Sequence, residues 1–104
     1  MKILITNDDG ISSRGLLLLA KKAMEFGEVT VAAPKTEQSG KSQSINIHSP
    51  FEAREVDLLP GVRAYSVDSS PADCVRFAKL GLGINYDIVL SGINNGLNIG
   101  IDMV

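Results

Sequence analysis

The chain has 104 residues, 44% of them apolar, and a formal net charge of −2. That length holds one domain at most, with a core of modest size, and the apolar share is ordinary for a soluble globular fold. The charge balance excludes a strongly basic surface for a nucleic-acid polymer, which calls for clustered Lys and Arg, but leaves room for a nucleotide held by a metal and backbone amides.

The first element begins at once. Lys2 to Thr6 is short, apolar and β-branched, which predicts a buried parallel strand. No basic and apolar leader precedes it, so export is not expected. Asp8 to Ser13 is a polar loop. Arg14 to Phe26 is expected to be a helix, with Leu16, Leu19, Ala20, Ala23 and Met24 on one face and Lys21, Lys22 and Glu25 on the other. Gly27 is a plausible stop for it. The run Leu16 to Ala20 is the longest apolar stretch and is far too short to span a bilayer. Val29 to Ala33 is a second strand, closed by Pro34. Strand, helix and strand make a βαβ unit with a right-handed crossover.

Lys35 to Ser44 is polar and flexible, and it leaves from the same sheet edge as the loop after the first strand. Ser44 to His48 alternates like a strand, Phe51 to Val56 is a candidate strand, and Val62 to Val67 is a better one. Pro60-Gly61 marks the turn between the last two. Ser70-Pro71-Ala72-Asp73 is a helix start: Ser70 is the N-cap, Pro71 takes the first helical position, and Asp73 puts a negative charge in the first turn. That helix runs to about Gly81. Asp87 to Leu90 is the next strand, and it opens into a Gly- and Asn-rich stretch from Ser91 to Gly100. A parallel sheet needs helices on both faces, and no covering helix follows Leu90. The chain is therefore expected to be the N-terminal part of a single α/β domain, residues 1–104. Cys74 is the only cysteine, so no internal disulfide forms and a cytoplasmic location is expected.

Chemistry concentrates where the first strand ends. Asn7-Asp8-Asp9-Gly10 presents two adjacent carboxylates at the C-terminal end of a buried strand, where open α/β sheets bind ligands. Neighbouring acids repel, and a hard divalent cation such as Mg²⁺ or Mn²⁺ neutralises them. Two further loops share that rim, one with Ser39-Gly40 and one with Ser91-Gly92-Ile93-Asn94. Together they offer two carboxylates, a hydroxyl and an amide oxygen, with coordination positions left for water and a phosphate.

The chain resembles the SurE family of survival-protein nucleotidases. The resemblance rests on Asn7-Asp8-Asp9-Gly10, on Ala33-Pro34 with Gln38-Ser39-Gly40, and on Ser70-Pro71-Ala72-Asp73-Cys74-Val75. It also rests on Ser91-Gly92-Ile93-Asn94 with Gly96, Asn98 and Gly100. It implies a Rossmann-like three-layer sandwich with a mostly parallel sheet. It also implies metal-dependent removal of phosphate from nucleoside 5′- and 3′-monophosphates. Asp8, Asp9, Ser39 and Asn94 are the implied metal ligands. Gly40, Asn94, Gly96 and Asn98 are the implied phosphate contacts, and the Ser70 to Asp73 segment borders the cleft. With no histidine nearby, Asp8 or Asp9 is the group to accept a proton from the attacking water. Family members are about twice as long. They carry a further Tyr-Ser-Gly-Thr-type segment and a C-terminal part used to form homodimers or homotetramers, so this chain resembles their N-terminal portion. No membrane partner is implied.

Plainer readings compete at each position. Asp8-Asp9 can be a solvated loop and helix cap, and Ser39, Asn94, Asn95 and Asn98 can be turn formers. His48, the one histidine, reads as structural or exposed. Cys74, in the first turn of a helix, is either a thiol of lowered pKa or a packing residue, and packing is favoured. Two other functions stay open. One is a fragment that binds metal and nucleotide without turnover and associates through an uncovered sheet face. The other is a receiver-type signalling domain, which needs an Asp at the end of its third parallel strand and a Lys at the end of its last; neither is convincingly placed.

Overall fold

The computed structural model describes residues 1–35, 52–92 and 100–103. Strand β1 (Lys2–Thr6) leads through helix α1 (Arg14–Ala23) to β2 (Glu28–Pro34). Strands β3 (Ala53–Val56) and β4 (Arg63–Val67) follow, then helix α2 (Pro71–Arg76), which runs straight into a π-helical turn over Phe77–Gly81. Strands β5 (Ile88–Ser91) and β6 (Gly100–Met103) complete the chain. The six strands form one sheet in the order β3-β4-β2-β1-β5-β6. The inner four are parallel, and β3 and β6 are antiparallel edges. Taken in chain order, the four parallel strands lie 3-2-1-4, the arrangement of a Rossmann-type sheet.

Pleating sorts the strand residues between two cores. Ile3 and Ile5 of β1 join Val29, Val31 and Ala33 of β2 against Leu16, Ala20 and Ala23 of α1. Leu4 joins Ala32, Val67 and Val89 against Cys74 and Ala78. β1 and β2 are apolar at almost every position because both of their faces are covered. The β1-to-β2 and β4-to-β5 crossovers move in opposite directions across the sheet. Right-handed connections then place α1 and α2 on opposite faces, which gives the three expected layers.

The helix ends differ from the sequence expectation. α1 stops at Ala23, and its last amides tighten: Glu25 N bonds Lys22 O at 3.1 Å and Phe26 N bonds Ala23 O at 2.9 Å. Met24 and Phe26 turn outward, 39% and 66% exposed, so neither belongs to the core. Gly27 is required for close approach rather than as a helix stop. A Cβ there would overlap the Met1 carbonyl oxygen, which accepts from Glu28 N at 2.8 Å. In the turn after α2, Leu82 N reaches back to Phe77 O at 3.1 Å, and the Phe77 ring meets Tyr65 edge-on with centroids 5.3 Å apart. Strand β6 lies in the stretch read as an irregular Gly/Asn loop and the few residues after it, and it pairs Gly100 with Ser91 and Met103 with Ile88. The strand-like run Ser44 to His48 lies outside the described residues.

Among the described residues, β5 is flanked on the α1 face by the helix on one side only. Ile3, Leu19, Ala23, Phe26, Ile88 and Leu90 line an apolar groove of about 310 Å³ beside it.

Gly27→Ala should lower stability by about 1–3 kcal/mol, as overpacking against a fixed backbone does. A urea titration followed by far-UV circular dichroism reads this as a lower midpoint at unchanged slope.

Candidate active site

The C-terminal ends of β1, β2, β4 and β5 lie on one edge of the sheet. From β1 the chain turns towards β2 on one face, and it arrives at β5 from the other. The switch point of the sheet is therefore between β1 and β5, where open α/β sheets form their ligand crevice. Thr6 pairs with Ser91 across that point, and Gly92 N extends the pairing to Thr6 O at 3.0 Å. The segment carrying Asn94 thus departs next to the residue that precedes Asn7-Asp8-Asp9.

The loop after β1 is held by its own side chain. Asn7 is fully buried. Its Nδ2 donates to Gly10 O and its Oδ1 accepts from Gly10 N, each at 3.1 Å. Gly10 sits at φ 105°, in the left-handed region that a residue with a Cβ seldom adopts. Ile11 N then bonds Pro34 O at 2.8 Å, tying the loop to the end of β2. Ser13 caps α1, its Oγ accepting from Leu16 N at 3.4 Å. Asp8 and Asp9 lie at the apex of this closed loop, half-buried. The ion pairs among the described residues, Lys22–Glu25 and Arg54–Glu52, involve neither of them. Asn7 belongs to the motif singled out in the sequence but was given no role there. The signal was its spacing from a glycine three residues on, which lets an Asn side chain close a turn on the backbone.

The β4–α2 turn forms the next part of the rim. Lys35 N bonds Val67 O at 2.8 Å, so the stretch towards Ser39 leaves from beside it. Ser70 caps α2 as its sequence implies, accepting from Asp73 N at 3.3 Å, and Pro71 fills the first turn. Asp73 is fully buried, and the Ser69 hydroxyl donates to its Oδ2. Cys74 is buried as well. Burial, and after it the neighbouring Asp73 charge, pushes its thiol up from 9.0 to about 12, with Thr6 offsetting part of the rise. The reading of Cys74 as a packing residue holds, and that of a thiol with lowered pKa does not. The remaining predicted site residues, Ser39, Gly40, Asn94, Gly96 and Asn98, lie outside the described residues, as does His48. Among the described residues no group of three or more His, Cys, Asp or Glu side chains converges on one point. Two carboxylates by themselves are too few oxygen donors to hold a hard divalent ion.

The family model described as survival protein SurE matches residues 3–104. The chain belongs to the SurE family. It is 45% identical over 106 residues to the 5′-nucleotidase SurE of Clostridium beijerinckii, covering 100% of this chain and 42% of that protein. It is 47% identical over 107 residues to the 5′-nucleotidase SurE of Dehalococcoides mccartyi, covering 100% of this chain and 40% of that protein. The crystal structure of a SurE protein from Aquifex aeolicus superimposes with a TM-score of 0.78 at 34% identity, over 90% of this chain and 38% of that one. The chain therefore spans about two fifths of the length of these SurE relatives. No helix among the described residues is long and apolar enough to cross a membrane.

Two outcomes follow from this geometry. Asn7→Ala strands the Gly10 amide and carbonyl in a buried position and should cost about 1–3 kcal/mol, read as a lower urea midpoint. The raised Cys74 thiol gives a signed pH dependence. Its contribution is fully present below the unfolded pKa of 9.0 and is lost as pH rises through the folded value of about 12. Stability measured across that window should fall less steeply for Cys74→Ala than for the unaltered chain.

Proposed function

We propose that this chain carries the metal-binding rim of a phosphomonoesterase that removes phosphate from nucleoside 5′- and 3′-monophosphates, in a cytoplasmic setting. One observation carries the reading. A pair of adjacent carboxylates stands at the switch point of a parallel sheet, held there by the Asn7–Gly10 closure, with no ion-pair partner among the described residues. The printed name of the relatives, 5′-nucleotidase SurE, points the same way.

The donor set fits a hard divalent ion. Asp8 and Asp9 would hold Mg²⁺ or Mn²⁺ with the Ser39 hydroxyl and the Asn94 amide oxygen, all oxygen ligands of the kind such ions prefer. Bound there, the ion supplies charge neutralisation at the phosphoryl oxygens and a bound water of lowered pKa. The rest of the chemistry belongs to the chain. Asp8 or Asp9 accepts the proton of the attacking water, since the only histidine, His48, lies far along the sequence. Backbone amides around Gly40 and Gly96, with the Asn94 and Asn98 side chains, cradle the phosphate.

A second reading is binding without turnover, favoured by the chain's spanning only about two fifths of its relatives. The receiver-type reading loses ground to the topology. The receiver order 2-1-3-4-5 puts the third parallel strand beside the first, whereas here β4 lies beyond β2 and β5 takes the place next to β1.

Titration of Mn²⁺ into the chain, followed by electron paramagnetic resonance, should show saturable binding that Asp9→Asn weakens. Phosphate release from a nucleoside 5′-monophosphate with Mg²⁺ or Mn²⁺ should fall about 10²–10⁴-fold in the same variant. Binding without release selects the second reading. Absence of both, or full activity in Asp9→Asn, defeats the assignment.

A further inference from the structure

Among the described residues, two buried side-chain atoms lack a hydrogen-bond partner: Thr6 Oγ1 and Asp73 Oδ1. Thr6 is 3% exposed and Asp73 is fully buried. They are complementary, because a hydroxyl has a proton to give and an ionised carboxylate oxygen can only accept. Both border the same residue: Asp73 precedes Cys74 in the first turn of α2, and the Thr6 side chain lies against the Cys74 thiol. A buried carboxylate oxygen left unpaired carries a large desolvation cost, so such atoms in folded proteins are nearly always satisfied.

The position of Thr6 gives the pairing a purpose. It is the last residue of β1, two before Asp8, and its backbone is already fixed to β5 through Gly92. Its side chain falls on the same face of the sheet as Leu4, the face that α2 covers. The Asn7–Gly10 closure holds the acidic loop from beyond the strand, and nothing in that closure fixes the strand end against α2. We propose that one buried water accepts from the Thr6 hydroxyl and donates to Asp73 Oδ1, and that this link makes Asp73 a positioning residue for the Asp8–Asp9 pair. Asp73 joins the link to the β4–α2 turn through Ser69, so one carboxylate ties two segments of the rim together. The positioning role rests on the metal-site reading above; the hydrogen-bonded link does not.

The test is a double-variant cycle on the chain with Mn²⁺ as the probe. Thr6→Val keeps the shape and removes the hydroxyl; it should weaken Mn²⁺ binding on the order of tenfold, as loss of an outer-shell partner does. Thr6→Ser, which keeps the hydroxyl, should restore most of the affinity. Thr6→Val should add no further loss in an Asp73→Ala background. If Thr6→Val binds as the unaltered chain does, or if the two losses multiply in the double variant, the positioning role is wrong. If the unaltered chain binds no Mn²⁺, the metal-site reading fails and the positioning role with it. The link is then judged alone from the urea midpoints of the same proteins, where additive losses overturn it. Should Asp73→Ala not fold, Asp73→Asn decides: it can still serve both Ser69 and Thr6 and should bind like the unaltered chain, whereas a tenfold loss there rejects the link.

Discussion

A buried asparagine that uses both ends of its amide on one glycine is the constraint on which the acidic rim depends. Asn7 spends a donor and an acceptor on Gly10, so the chain between them is closed into a loop with no freedom to splay. Two adjacent carboxylates in a mobile loop would move apart or turn to solvent to lower their repulsion. In the closed loop both stand half-buried at the switch point of the sheet. An aspartate at position 7 would have no proton to donate to the Gly10 carbonyl, and a residue with a Cβ at position 10 would meet the unfavourable left-handed backbone.

The sheet gives that loop its address. Four parallel strands end together because βαβ connections run in one sense, and the change of winding direction falls between β1 and β5. The Gly92 amide bonded to Thr6 and the Ile11 amide bonded to Pro34 anchor the rim to strands on either side of β1. β1 and β2 are buried along almost their whole length, so this side of the rim rests on a close-packed, little-deformable part of the molecule.

Much of this was legible in the residues. β1 was marked by an apolar run, β2 and β5 by apolar residues before a polar rim, and the α2 start by Ser70-Pro71 with Asp73. What escaped had physical causes. Met24 continues the apolar periodicity of α1, but the helix has ended at Ala23 and the side chain is 39% exposed. Gly27 has the look of a helix stop, while its actual constraint is the Met1 backbone, remote in sequence. β6 begins in a Gly- and Asn-rich stretch that carries little strand propensity, and it exists because β5 offers it an edge. Asp73 reads as a first-turn acid that favours the helix dipole. That its second carboxylate oxygen is buried without a partner is a fact of packing that spacing does not reveal.

The apolar groove between α1 and β5 bears on how this molecule behaves in a tube. Such a furrow offers a place to solvatochromic dyes, whose brightening is usually taken as the mark of a loosened core. For this chain such brightening is compatible with native packing, and loss of near-ultraviolet dichroism is the better sign that the interior has come apart.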